Sequence, residues 1–141
     1  MTRISFYTLS QDGAQIRFRT ACKLVEKAHT QGLTIYIHTA GAADSTVLDD
    51  LLWTFKDGSF IPHAVHPRPA GDHSPIVIGH DHEPTGEHNL LINLSNELPA
   101  FFSRFERVAE IVDGQSERLA RGRERFKFYK DRGYPLEHHK L

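Results

Sequence analysis

The apolar positions of the chain change period several times, and each change marks an element. Residues Ile4 to Leu9 (ISFYTL) are rich in β-branched and aromatic side chains and run into Ser10-Gln-Asp-Gly13, which predicts a strand closed by a turn. Beyond Gly13 the spacing becomes i, i+3, i+4. Ala14, Phe18, Ala21, Cys22, Val25 and Ala28 make one stripe on a helix that stops at Gly32. Leu33 to His38 (LTIYIH) is a second strand. Val47, Leu48, Leu51, Leu52 and Phe55 then fall within an arc of about 140°, the core face of a second helix capped by Asp44 or Ser45 and ended by Asp57-Gly58. Pro62 to His88 is loop-rich, with prolines at 62, 67, 69, 75 and 84, and Ile76-Val77-Ile78 is a short buried strand inside it. Asn89 to Leu94 and Val108 to Val112 are two more strands, separated by a short helix over Pro99 to Phe105. Gln115 to Arg132 is the final helix, stopped by Gly133 and Pro135, and Leu136 to Leu141 is read as a loose tail.

Strands alternating with helices of this length imply βαβ units. The expected fold is therefore a single α/β domain over residues 1–141, with a mostly parallel sheet of about five strands and helices on both faces. In parallel α/β folds, phosphates bind where the first strand meets the first helix. Here that turn has one glycine and an acid, Asp12, and neither G-x-G-x-x-G nor G-x-x-x-x-G-K-[ST] occurs anywhere. The fold is thus expected to be Rossmann-like without a phosphate-binding loop, and an NAD- or ATP-using enzyme is disfavoured.

Composition changes this picture little: 39% hydrophobic and 25% charged is ordinary for a globular protein. The single cysteine excludes an intramolecular disulfide, and no apolar run approaches the roughly 20 residues that span a bilayer. A cytoplasmic protein with no membrane contact is the expectation. Cys22 lies on the apolar stripe between Phe18 and Val25, where a thiol acts as a small hydrophobe rather than a nucleophile. Among ten histidines, His80-Asp81-His82, with His73 and His88 nearby, offers imidazole and carboxylate ligands for zinc or iron. A metal-dependent hydrolase built on His80, Asp81, His82 and His88 is therefore the rival reading, although no cysteine and no H-E-x-x-H helix orders that loop. No cofactor is expected otherwise.

Charge changes the picture more. The net charge is −1, yet Gln115 to Arg132 holds seven basic and three acidic residues, leaving ten basic and fifteen acidic elsewhere. On this helix Leu119, Gly122, Phe126 and Tyr129 form a narrow stripe flanked by Arg123, Lys127 and Lys130, while Arg121, Arg125 and Arg132 crowd another face. An apolar patch framed by arginines suits an acidic peptide with a hydrophobic end. Nucleic acid suits it less, since the whole chain is slightly acidic and lacks a recognition-helix layout. The second feature is Trp53, which falls about 100° outside the core arc of its helix, followed by Phe60 in a segment with no evident need to be apolar. Large aromatics off the core stripe anchor protein interfaces; the alternative is that Trp53 covers the sheet edge or packs under the middle loop.

Four stretches carry a resemblance to a known family. They are Ile4-Ser-Phe-Tyr-Thr-Leu9, Leu52-Trp-Thr-Phe-Lys-Asp-Gly-Ser-Phe-Ile-Pro-His63, Leu90-Leu-Ile-Asn-Leu94, and Leu119 to Tyr134 (LARGRERFKFYKDRGY). In this order they resemble the chi subunit of the bacterial DNA polymerase III holoenzyme. The resemblance implies an accessory protein of DNA replication, itself non-catalytic, with two partners. One is the psi subunit of the clamp loader. The other is the C-terminal tail of single-stranded DNA-binding protein, an acidic peptide with an apolar end. A helicase-like protein is a further implied partner at the psi-binding surface. Matched by position, Trp53 and Phe60 stand where the psi-side aromatics are expected, and Arg123, Phe126 and Lys127 where the tail-binding residues are. Leu119 replaces a lysine of the pattern, a charge that Arg118 or Arg121 is left to supply.

Overall fold

A computed structural model describes residues 1–58, 60–81, 83–86 and 88–141, with Ala14 as backbone only. Seven strands and three helices follow one another: β1 (Arg3–Thr8), α1 (Ala14–Thr30), β2 (Ile35–His38), α2 (Ala42–Thr54), β3 (His63–Val65), β4 (Ile76–Gly79), β5 (Leu90–Asn93), β6 (Arg107–Val112), α3 (Ser116–Asp131) and β7 (Leu136–Lys140). A single 3-10 turn, Phe102–Arg104, replaces the short helix expected over Pro99 to Phe105. All strands join one sheet in the order β3-β4-β2-β5-β6-β1-β7, and every pairing is parallel.

The sheet is buried on both faces, as parallel sheets are, because their crossovers lay helices over them. Alternation along β2 shows how one strand serves two layers. Ile35 and Ile37 pack with Phe18, Cys22 and Val25 of α1 and Leu48 and Leu52 of α2, while Tyr36 turns to the other side. There it meets Phe101 and Phe105, in a layer that Ile4, Phe6 and Val108 of the sheet complete with Tyr129 of α3. Gly79 admits the Tyr36 ring: a Cβ at that position would run into the phenol oxygen.

Further sequence expectations change. The sheet has seven strands rather than about five. β3 lies inside the stretch read as loop, paired to β4 with His63 opposite Ile76. β7 is built from the stretch read as a loose tail, paired residue by residue with β1. In α2 the helix begins before the expected caps. Ser45 is buried, its hydroxyl bonded to Thr39 (2.7 Å) and the His80 ring (3.0 Å), so it serves the packing rather than the helix end. Val47, assigned to the core arc, is exposed, whereas Leu48, Leu51 and Leu52 are buried.

Candidate functional site

The final helix is held to the sheet by a buried polar cluster. Glu110 of β6 is inaccessible and accepts four hydrogen bonds from three side chains. Arg125 Nε donates to Oε1 at 3.0 Å, the Tyr129 hydroxyl donates to Oε2 at 2.8 Å, and Asn93 Nδ2 donates to both oxygens at 3.0 and 3.2 Å. Arg125 Nη1 also donates to the Asn96 carbonyl at 2.9 Å. Arg125, grouped by the helical wheel with Arg121 and Arg132 on a face away from the apolar stripe, is buried, its charge offsetting a carboxylate taken out of water. Burial pushes the Glu110 carboxyl upward against the Arg125 charge and these hydrogen bonds, and drives the Tyr129 phenol up as well.

Fixed this way, α3 lies over β6 and β1 closely enough to need a glycine. A Cβ on Gly122 would come within 2.9 Å of a Val112 methyl. The side chains around that point diverge, leaving a groove of about 420 Å³ lined by Phe6, Thr8, Val112, Leu119, Gly122, Arg123, Phe126 and His138. Phe126 stands edge-on to Phe6, ring centres 5.2 Å apart. Arg123 is exposed at the rim, and no carboxylate pairs with it among the described residues. An apolar floor with an uncommitted guanidinium at its mouth can take an apolar side chain and hold a carboxylate beside it.

Of the residues expected for the acidic tail, Arg123 and Phe126 line this groove together. Lys127 does not line it; it is exposed and pairs with Asp131 at 3.2 Å along the helix. Leu119, which replaces a lysine of the family pattern, contributes apolar wall instead. Arg118 does not stand in for the missing charge. Its guanidinium is committed to Asp113, with Nε donating to Oδ1 at 2.7 Å and Nη2 to Oδ2 at 2.5 Å. Phe6, Thr8, Val112 and His138 were missed by sequence reasoning, because they reach the groove from three other strands.

Asp113 also explains the missing phosphate site. Its Oδ2 accepts the Gly13 N–H at 2.8 Å, so a carboxylate of the chain itself occupies the amino end of α1, where nucleotide-binding relatives of this fold place a phosphate. Asp12, read from sequence as the blocking acid, instead packs against Gly114.

The second aromatic feature lies at the other end of the sheet. Trp53 is 51% exposed and its ring lies tilted against that of His63 of β3, centres 4.2 Å apart. His63 is buried, with Nδ1 2.7 Å from the Ile61 carbonyl and Nε2 3.1 Å from an Asp49 carboxylate oxygen. The tryptophan thus leans on the sheet edge and still presents half its surface to solvent. Phe60, three residues before His63, is 83% exposed.

The remaining candidates are less organised. Cys22 is buried, and burial pushes its thiol up to about 12, which fits a packing role. His80 is bonded to Ser45, and burial lowers the His88 imidazole. His82 lies outside the described residues. Among the described residues no three histidine, cysteine, aspartate or glutamate side chains gather as a metal site, and no helix is long and apolar enough to cross a membrane.

Comparison with known proteins agrees with the family read from the motifs. The model of the family described as "DNA polymerase III chi subunit, HolC" matches residues 1–137. The chain belongs to this family. DNA polymerase III subunit chi of Pseudomonas aeruginosa is 39% identical over 141 residues, covering 100% of this chain and 98% of the relative. The subunit chi proteins of Haemophilus influenzae and Escherichia coli are 26% and 23% identical, over 93% and 96% of this chain and 92% and 96% of the relatives. The chain is thus an accessory subunit of a replicative DNA polymerase. Among solved structures it is similar to T4 UvsW (TM-score 0.71, 10% identity, 99% of this chain and 41% of that one). It is also similar to the DEAD-box helicase domain 2 of Mss116p (TM-score 0.66, 12% identity, 98% and 63%). The chain spans less than two thirds of either structure, and the likeness is one of fold.

Proposed function

We propose that this subunit is a non-catalytic bridge. One surface, around Trp53 and Phe60, holds the psi subunit of the clamp loader, and a helicase-like protein can take the same surface in its place. The groove on α3 holds the acidic C-terminal tail of single-stranded DNA-binding protein. The observation that carries the reading is the groove itself: an apolar pocket between Phe6, Leu119 and Phe126, with Arg123 at its rim paired to no carboxylate among the described residues. Arg123 forks onto carboxylate while Phe126 and Leu119 take the apolar end residue, and Lys127 adds long-range attraction. Linking two moderate contacts through one rigid body raises the local concentration of the polymerase at coated single strands. Contact with nucleic acid is left to the partner.

The test is titration of the purified protein with a synthetic acidic peptide ending in phenylalanine. Arg123→Ala is expected to weaken binding more than about ten-fold, and wild-type binding is expected to fall as salt rises, since screening acts within about 10 Å at 0.1 M. A folded wild-type protein that ignores the peptide but binds naked oligonucleotide tightly would replace the bridge with direct strand binding.

A further inference from the structure

The groove has two walls, and the one opposite α3 comes from the last strand. In β7 the side chains alternate between the faces of the sheet. His138 lines the groove, its ring 6.3 Å from that of Phe126, and the same alternation puts Lys140 on that face. Glu137 and His139 point the other way. His139 stacks on Tyr7 at 4.8 Å, nearly parallel, and Glu137 lies 3.4 Å from the His139 ring. The strand therefore turns His138 and Lys140 towards the groove and its acid, Glu137, away from it.

His138 is also held in place before any ligand arrives. Its backbone is pinned at both ends of the strand: Ile4 N–H donates to the Pro135 carbonyl and Leu141 N–H to the Thr8 carbonyl, each at 2.9 Å. Its Nε2 sits 2.9 Å from the Thr8 hydroxyl, which leaves Nδ1 for another partner. A side chain ordered in advance loses less freedom on binding. In an extended peptide, successive residues point to opposite sides about 3.8 Å apart. A terminal carboxylate held by Arg123 on one wall thus leaves the preceding acidic side chain facing the other wall.

Resting on the peptide-docking reading above, we propose that β7 is the second half of the docking site and that His138 is a specificity-determining residue for the acidic stretch of the peptide. Arg123 and the apolar pocket select the end residue, and His138, backed by Lys140, selects for acid immediately before it.

The experiment compares two peptides ending in phenylalanine, one with aspartates before it and one with asparagines, against the intact chain, three variants in β7 and Arg123→Ala. His138→Glu is expected to weaken the acidic peptide about ten-fold and to change binding of the amide peptide less than two-fold. His138→Lys keeps the acidic peptide within about three-fold of wild type. His139→Glu, one residue on and facing away, leaves both peptides within two-fold, and so controls for damage to the strand. Equal losses for His138→Glu and His139→Glu, or equal losses for the two peptides, overturn the proposal while Arg123→Ala still reports the groove. Loss of peptide binding by folded wild-type protein overturns the docking reading and this refinement together.

Discussion

At the scale of single residues, identity and role separate most clearly on α3. Arg118, Arg123 and Arg125 are chemically alike and lie within eight positions, yet one locks a loop carboxylate, one faces solvent and one is buried against Glu110. Their roles were not legible in the helical wheel, because the deciding carboxylates lie on β6 and just beyond it. Asp113 offers a direct check. Burial works to raise its carboxyl, but the hydrogen bonds from Arg118 and the Gly13 N–H, with the Arg118 and Arg17 charges, bring it below the ordinary range. A carboxyl depressed in the folded state stabilises above its unfolded value, about 3.9, and that stabilisation is lost as pH falls through the lower folded value. Asp113→Asn is therefore expected to be less stable than wild type at pH 7, with the gap closing as pH drops below about 4. Urea unfolding between pH 3 and 7 reads this out, and a gap constant with pH would contradict it.

At the scale of elements, the position of α3 depends on a cluster that the helix only partly supplies. Arg125 and Tyr129 reach Glu110 from above while Asn93 reaches it from the neighbouring strand, so helix and sheet share one set of hydrogen bonds. Removing one member of a buried ion pair leaves the other charged and dry, at a cost of roughly 3–5 kcal/mol. Arg125→Ala is expected to destabilise the fold by about that much in chemical unfolding and to loosen the groove, whereas Lys127→Ala, on the exposed side, stays within about 0.5 kcal/mol. Equal effects of the two would mean that α3 is held by its apolar stripe alone. β7 teaches the complementary lesson. Leu-Glu-His-His-Lys has neither the apolar run nor the alternation of a buried strand, and it stays largely exposed as an edge strand held to β1 by backbone pairing.

At the scale of the whole molecule, strand order separates the two candidate docking surfaces. β3, against which Trp53 leans, is one edge of the sheet, and β7, which carries His138, is the other. Six spacings between neighbouring strands put roughly 29 Å between these edges. Two partners can therefore sit on the molecule together. Changes at sites so far apart add independently, within about 0.5 kcal/mol. Trp53→Ala is expected to leave the affinity for the acidic peptide unchanged, and Arg123→Ala to leave psi binding unchanged, both measured by calorimetry on the intact chain. Competition between peptide and psi would require the two surfaces to communicate through the sheet.

The hydrophobic pattern alone determined the α/β class, the three helices and five of the strands, since period and turn residues are local properties of a chain. Four short motifs were enough for the family, because the aromatic and basic residues they contain stand at set spacings. Tertiary structure alone decided which arginine of α3 stands at the rim of the groove, which acid occupies the amino end of α1, and that the last residues form an edge strand. Each depends on groups far apart in sequence being brought within hydrogen-bond reach. The groove exists only once β1, β6, β7 and α3 have met, which is why half of its lining had no signal in the sequence.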